Sequence, residues 1–208
     1  MDKICYIFAA GEFYGGFSKC ENSLIIAADA GYHHLTARGI SPDILLGDFD
    51  TIGEIPSHCN IKRFPAEKDY TDTELALLEG IEQGCRSFVI CGALGGKRLE
   101  HTIANLMLAD SYAQKGYDIT LTDGEYVVKA IHNTELKFSK SEQGFVSVFT
   151  LSGKAEGVSI KGLKYELCKA VLDASSPTLG VSNEFIGENA SISVSNGTLI
   201  IMWQNKEK

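Results

Sequence analysis

Short apolar runs that end in a glycine or an aspartate recur through the first 120 residues of the chain. Buried strands are expected at 4–10, 24–28, 44–46 and 87–91, and a shorter strand at 61–64. Stretches with helical spacing follow three of these runs. Strand, glycine loop and helix in alternation are typical of a parallel sheet that helices cover on both faces. The sequence therefore predicts the α/β fold class for the N-terminal part.

The rhythm changes after about residue 117, where short strands alternate with turn residues. Asp123-Gly124 and Asn196-Gly197 are typical of type I′ hairpin turns. The segment 163–172 is the one place in this part where a helical period is possible. We expect an N-terminal Rossmann-like parallel sheet with flanking helices at 1–130, followed by a C-terminal antiparallel β-sandwich domain at 131–208.

Composition excludes several kinds of partner. Asp and Glu number 27 against 19 Lys and Arg, giving a net charge of −8. Nucleic-acid binding demands a basic surface, so we expect no nucleic-acid partner. The apolar run at 4–10 is too short to span a bilayer and lacks a signal-peptide layout, and the six cysteines include no C-x-x-C pair. We expect a cytoplasmic, reduced protein with no membrane partner and no structural zinc.

Four aspartates follow strands or begin a helix in the first part. Asp29 ends one run, Asp48 and Asp50 follow another, and Asp72 falls in the first turn of a predicted helix. Parallel strands deliver their carboxyl ends to one edge, so these groups can converge. In extended chain Asp48 and Asp50 point to the same side, where their repulsion calls for a cation such as Mg²⁺ or for ample water. Alone, the Asp-Phe-Asp triplet is more typical of a solvated acidic turn than of a metal site.

The segment 92–98 is suited to bind an anion. Three glycines let backbone N–H groups approach a phosphate, and Lys97 and Arg98 add donors near a helix N-terminus. The pattern matches neither a Walker loop nor G-x-G-x-x-G, and a tight strand–helix turn would use the same glycines. Upstream, Thr71 and Glu74 have the spacing of a capping box, and capping is also an ordinary role for Asp69 and Glu74.

The order of these motifs resembles the thiamine pyrophosphokinase family. The matching segments cover nearly the whole chain: A-D-A-G (28–31), P-D-x-x-x-G-D-F-D-T (42–51), K-D-Y-T-D-T-E-L-A (68–76), G-A-L-G-G-K-R-L-E-H (92–101), G-L-K-Y-E-L (162–167) and G-V-S-N-E (180–184). The resemblance implies an enzyme that transfers the diphosphoryl group of Mg-ATP to the hydroxyl of thiamine, giving thiamine diphosphate and AMP. It further implies a homodimer with active sites at the dimer interface.

The resemblance also assigns roles to residues, with ATP on the 1–130 domain and thiamine on the 131–208 domain. The expected metal ligands are Asp29, Asp48, Asp50 and Asp72. The expected ATP-binding residues are Lys68, Asp69, Thr71, Gly92, Gly95, Gly96, Arg98 and His101. The expected thiamine-binding residues are Tyr165, Ser182 and Asn183. The expected catalytic residues are Asp50, Asp72 and Arg98, with Asp72 as our choice of proton acceptor.

This chain departs from the family pattern at three positions. Lys97 is an extra residue in the glycine loop, Glu100 replaces an aspartate, and Thr51 stands where many relatives have serine. The roles of Lys97 and Glu100 stay open. Two alternative functions stay open with them: a Mg²⁺-dependent diphosphotransferase acting on another alcohol, and a non-catalytic sensor that binds nucleotide or thiamine.

Overall fold

The protein is described by a computed structural model over residues 3–50, 52 and 59–205. Thr51 therefore lies outside the described residues. The chain divides into two compact units, one made of residues 1–105 and 121–124 and the other of residues 106–120 and 125–208. No helix among the described residues is long and apolar enough to cross a membrane. All six cysteines are free.

The first unit is a five-stranded parallel sheet with helices packed on it. Its strands are β1 (Ile4–Phe8), β2 (Ser23–Ala28), β3 (Ile44–Gly47), β4 (Asn60–Arg63) and β5 (Ser87–Cys91). They lie in the order β4-β3-β2-β1-β5, and every pair is parallel. All residues of β2 from Leu24 to Ala28 are buried, so both faces of the sheet are covered. The predicted Rossmann-like sheet is confirmed.

Two helices of this unit begin close to the functional residues. Helix α1 (Tyr32–Thr36) follows a 3-10 turn at Asp29–Gly31, and α2 (Asp72–Glu82) packs on β1, β2 and β3. The apolar spacing of α2 predicts a buried face at Leu75, Leu78 and Ile81, but these side chains are only half-buried. The buried face includes Ala76, Leu77 and Gly80. Gly80 lets Phe88 and Cys5 approach so closely that an added Cβ would lie 2.6 Å from the Phe88 ring, and this contact sets the rotation of the helix.

The second unit is mostly antiparallel β structure. It contains the last part of α3 (Leu99–Gln114) and the first part of β6 (Asp118–Thr122). Its other elements are β7 (Tyr126–His132), β8 (Glu135–Phe138), β9 (Phe145–Phe149), β10 (Ala155–Lys161), β11 (Leu167–Leu172), β12 (Asn183–Glu184), β13 (Ala190–Ser193) and β14 (Thr198–Gln204). Strands β12, β9, β14 and β7 lie side by side, and β11, β10, β13 and β8 form a separate sheet. Val146 and Ile201 from one sheet share a core with Val158 and Ile192 from the other. The β-sandwich is confirmed.

Two local predictions in this unit are wrong. The segment 163–172, where a helix was possible, contains strand β11, whose Leu172 enters the sandwich core. Asn196-Gly197 does not close a hairpin, because β13 pairs with β8 and β10 whereas β14 pairs with β7 and β9. Of these two turn residues only Gly197 has a positive φ (+111°), while a type I′ turn needs two. The turn instead carries the chain from one sheet of the sandwich to the other.

Candidate active site

A pocket of about 470 Å³ lies at the carboxyl ends of the strands in the first unit. The chain builds the sheet outward from β1 through β2 to β4 and then returns to the other side of β1 with β5. Open α/β sheets bind their ligands at such a reversal of strand order. The polar residues of the lining are Glu12, Asp29, His34, Thr71, Asp72, Thr73, Lys97, Arg98, His101 and Asn105.

The loops that follow β1 and β5 are joined backbone to backbone. The N–H of Ala9 donates to the carbonyl of Cys91 at 2.8 Å, and the N–H of Gly11 donates to that of Gly92 at 2.9 Å. A Cβ on Gly11 would lie 2.4 Å from the Gly92 carbonyl oxygen. Only glycine permits this approach, so the two glycines fix the floor of the pocket.

The loop from Gly92 to Arg98 reverses direction through three glycines. Gly92, Gly95 and Gly96 have φ of +69°, +66° and +86°, a region that other residues rarely adopt. All three line the pocket, as the resemblance implies for an ATP site. The structure brings together the backbone groups that an anion-binding loop needs, and their role as phosphate ligands stays a prediction.

Asp29, Asp48 and Asp50 form a carboxylate cluster beside this pocket. One oxygen from each lies within 4.8 Å of the other two. Gly47 makes the approach possible, because a Cβ at this position would lie 3.0 Å from the Cβ of Asp29. Asp29 belongs to both the cluster and the pocket lining. The cluster is therefore continuous with the pocket.

The geometry that joins Asp48 and Asp50 differs from the extended chain assumed from the sequence. Phe49 between them has φ +67°, and the N–H of Asp50 donates to Oδ1 of Asp48 at 3.1 Å. The segment is a turn that is anchored by Phe49. The Phe49 ring is buried in the core, and the guanidinium of Arg63 lies over it. Packing of Phe49 therefore anchors the turn that carries the two carboxylates.

The carboxylates in this cluster repel one another. The pKa of Asp50 is raised above its usual value, first by the charge of Asp48 and then by desolvation and the charges of Asp29 and Asp72. Like charges held this close need a neutralising partner. Oxygen donors of this number and kind suit Mg²⁺, so the donor set fits the metal that the resemblance implies.

Asp72 stands apart from the three clustered aspartates but faces the same pocket. It begins α2, whose N-terminus is capped by Thr71: the N–H of Glu74 donates to the Thr71 hydroxyl at 3.2 Å. Lys68 places its ammonium group 3.0 Å from Oδ1 of Asp72. Asp69 is exposed and is absent from the pocket lining. Of the predicted set, Asp72 and Thr71 line the pocket directly, and Lys68 is tied to it through Asp72.

Arg98, Lys97 and His101 close the other side of the pocket at the start of α3. Arg98 donates to Glu100 at 2.7 Å, and both side chains are about two-thirds exposed. The hydrogen bond from Arg98 lowers the pKa of Glu100 below its usual value. Glu100, one of the three departures from the family pattern, is thus the ion-pair partner of Arg98, a predicted catalytic residue.

The three predicted thiamine residues lie together in the second unit. Asn183 is 2 % exposed, and its side chain donates to the Tyr165 carbonyl at 2.6 Å and accepts from the N–H groups of Tyr165 and Glu184. Ser182 and the Tyr165 ring are exposed. Asn183 therefore fixes the backbone on which the other two side chains are presented.

Four polar residues of the pocket lining were not predicted from the sequence: Glu12, His34, Thr73 and Asn105. His34, whose neighbour His33 gives no metal-ligand spacing in the sequence, contacts the Gly11 carbonyl through Nε2 at 2.7 Å. Asn105 is 5 % exposed and donates to the Ala93 carbonyl at 2.8 Å. The sequence predicts that Asn105 lies in a helix. The helical pattern alone does not tell which polar residues of that helix are buried, so it could not single out Asn105.

The fold and the pocket define a two-unit protein: a doubly wound α/β unit with a carboxylate-lined pocket at the reversal of strand order, and a β-sandwich unit. Comparison with known proteins places the chain more narrowly. The family model for the thiamin pyrophosphokinase catalytic domain matches residues 19–121, and the model for the vitamin B1 binding domain of the same family matches residues 133–199.

Individual relatives agree with the family models. The chain is 31% identical over 189 residues to a thiamine pyrophosphokinase of Bacillus subtilis strain 168, covering 88% of this chain and 87% of the relative. A crystal structure of thiamine pyrophosphokinase from Bacillus subtilis superposes with a TM-score of 0.82 at 25% identity, over 99% of this chain and 100% of that one. A family member from Enterococcus faecalis gives 0.81 at 25% identity over the full length of both chains.

The chain belongs to the thiamine pyrophosphokinase family, and it is an enzyme of the transferase class. The resemblance inferred from the six ordered motifs is confirmed. The relatives carry both units, so the two-unit architecture is that of the family.

Proposed function

We propose that this protein transfers the diphosphoryl group of ATP to the hydroxyl of thiamine, with Mg²⁺ as cofactor, and releases thiamine diphosphate and AMP. The observation that carries the proposal is the cluster of Asp29, Asp48 and Asp50, whose oxygens lie within 4.8 Å of one another. Asp29 connects this cluster to a glycine-lined pocket at the strand-order reversal. Carboxylates beside a phosphate-type loop are the arrangement that a metal–polyphosphate substrate requires.

Asp29, Asp48 and Asp50 would hold Mg²⁺, and Asp72 would complete the acidic wall. The metal, when bound, supplies charge neutralisation on the phosphate oxygens. The raised pKa of Asp50 supports this assignment, because it shows that the folded chain concentrates negative charge at this position. A cation would relieve that repulsion.

The chain's own residues orient the donor and manage the proton. Backbone N–H groups of the Gly92–Gly96 segment and the guanidinium of Arg98 would bind phosphate oxygens, and this places the β-phosphorus for in-line attack. The bond breaks between the β-phosphorus and the oxygen that bridges it to the α-phosphorus, and that oxygen leaves with AMP. The new bond joins the β-phosphorus to the thiamine oxygen. We assign the hydroxyl proton to the Asp72 carboxylate, which Lys68 keeps oriented at 3.0 Å.

Thiamine is assigned to the second unit. Tyr165 offers an exposed aromatic ring, which suits a cationic heterocycle, and Ser182 offers an exposed hydroxyl. Asn183 supports both through its backbone hydrogen bonds. We further propose that the active form is a cytoplasmic homodimer, as the family implies.

The direct test incubates the purified protein with thiamine, ATP and Mg²⁺ and measures AMP and thiamine diphosphate together. Equal amounts of both products are expected, and chelation of Mg²⁺ should stop the reaction. If AMP forms only when a different alcohol is supplied, that alcohol is the acceptor and thiamine is not. Binding of ATP and thiamine without turnover would identify a sensor and overturn the proposal.

A further inference from the structure

Asn105 is one of the few buried polar residues that the proposed chemistry does not use. It lies in the first half of α3, two turns after Leu99, with 5 % of its surface exposed. Its side-chain Nδ2 donates to the Ala93 carbonyl at 2.8 Å, and Asn105 itself lines the pocket. Burying an amide is unfavourable unless its hydrogen bonds are made, so this contact is a specific one.

The hydrogen bond holds a residue that lies between two other contacts of the glycine loop. Gly92 is held by backbone: its N–H donates to Thr122 at 2.9 Å and its carbonyl accepts from Gly11. Beyond it, Thr102 approaches the Gly95 carbonyl at 3.4 Å, a long hydrogen bond. Ala93 stands between these points, and its carbonyl is held by Asn105. The bond therefore links the middle of the loop to the helix that follows it.

Three positive φ angles make this loop dependent on such support. Glycine loses more conformational freedom on folding than any other residue, so Gly92, Gly95 and Gly96 would sample many conformations if the loop were released. The N–H groups of a loop bind an anion well only when they are already aimed at it. A fixed Ala93 carbonyl restricts the peptide groups on both sides.

We propose that Asn105 is a positioning residue, which holds the glycine loop in the conformation that binds the phosphates of the donor nucleotide. This inference rests on the proposed function, because it concerns the ATP side of the same site. Asn105 acts through Ala93 rather than on the reacting atoms. Its loss weakens donor binding and leaves acceptor binding intact.

The chain provides a matched control in its second unit. Asn183 is likewise a buried asparagine whose amide donates to a backbone carbonyl, that of Tyr165 at 2.6 Å. A second control is Gln114, an exposed amide on the same helix α3 that contacts Asp110 and lies outside the pocket lining. Gln114→Ala tests whether general damage to α3 is enough to change donor binding.

The experiment compares Asn105→Ala, Asn105→Leu, Asn183→Ala and Gln114→Ala by steady-state kinetics with each substrate varied. For both Asn105 variants we expect KM for ATP to rise by about tenfold, equivalent to about 1.4 kcal/mol, with KM for thiamine within about twofold. Asn183→Ala should show the reverse, and Gln114→Ala should change neither constant. Asn105→Leu keeps a similar shape and removes the donor without adding a charge near the phosphates, so it serves if the alanine variant does not fold. Unchanged KM for ATP, or equal rises in both constants, would overturn the inference.

Binding measured by calorimetry with Mg-ATP alone separates this inference from the proposed function. If the wild-type protein makes no thiamine diphosphate but binds Mg-ATP, the proposed reaction fails. The inference then stands only if both Asn105 variants bind Mg-ATP about tenfold more weakly. If the wild-type protein makes the product and the variants bind Mg-ATP normally, the reaction stands and the inference fails. Absence of Mg-ATP binding by the wild-type protein overturns both.

Discussion

The two units prepare their candidate residues in opposite ways. In the first unit, carboxylates are concentrated against their own repulsion, and the pKa of Asp50 is raised as a result. Positive φ does not separate the two units, because it occurs at Asp29 (+45°) and Phe49 (+67°) in the first and at Ser182 (+58°) in the second. In the second unit, Asn183 has its hydrogen bonds satisfied by the protein itself. The proposed metal site would be electrostatically complete only with a cation, whereas the proposed thiamine residues are already held by hydrogen bonds within the protein.

The largest expected effect tests the acidic cluster. Asp50→Asn should lower turnover by about 100-fold or more, the scale of removing one pre-organised electrostatic group. The side chain is exposed, so the variant should remain folded. Mg²⁺ should raise the melting temperature of the wild-type protein and raise that of the variant much less, because a ligand stabilises only the state that binds it. Kinetics and thermal unfolding with and without Mg²⁺ provide both measurements.

Glu82→Gln is a suitable control for that experiment, since Glu82 is an exposed carboxylate at the far end of α2. It removes the same charge from the same unit and should leave turnover and the response to Mg²⁺ unchanged. Wild-type kinetics in Asp50→Asn, or an equal loss in Glu82→Gln, would mean that the cluster has no special role.

A smaller effect is expected in the second unit, and on a different quantity. Asn183→Ala removes the side-chain partner of part-buried backbone groups of Tyr165 and Glu184, so the free energy of unfolding should fall by about 2 kcal/mol. Ser182→Ala alters an exposed side chain and should change that free energy by less than about 0.5 kcal/mol. Urea unfolding measures both. Equal losses of unfolding free energy in the two variants would contradict the assignment of Asn183 to supporting the backbone and of Ser182 to contacting thiamine.

The sequence predicted local structure well where one segment decides it. The bounds of β5 and the Thr71 cap of α2 follow from apolar runs and capping spacing, and both agree with the structure. The assignment of β13 and β14 to different sheets was not predictable, because Asn196-Gly197 looks the same whether the next strand pairs with the last or crosses the sandwich. Long-range packing decides between these outcomes.

The candidate site shows the same division. Four aspartates at strand and helix ends could be recognised from their positions, and three of them lie in one cluster. The turn at Phe49 could not be predicted, since a phenylalanine at positive φ is disfavoured locally and is held there by burial in the core. The role of Asn105 could not be predicted for a related reason. Its hydrogen-bond partner Ala93 lies 12 residues earlier in the chain and becomes its neighbour only when α3 packs against the loop.

The smallest expected effect concerns Glu100, the departure from the family pattern. Its ion pair with Arg98 is exposed, and solvent screening makes such pairs weak. Glu100→Gln releases Arg98 toward the phosphates, so KM for ATP should fall, by no more than about threefold. Arg98→Ala provides the contrast and should raise that KM by more than about tenfold, because a charged donor to phosphate is lost. Steady-state kinetics at two salt concentrations would show whether the Glu100 effect shrinks as salt screens the pair. A large rise of KM in Glu100→Gln would instead make Glu100 a residue that holds Arg98 in its binding position.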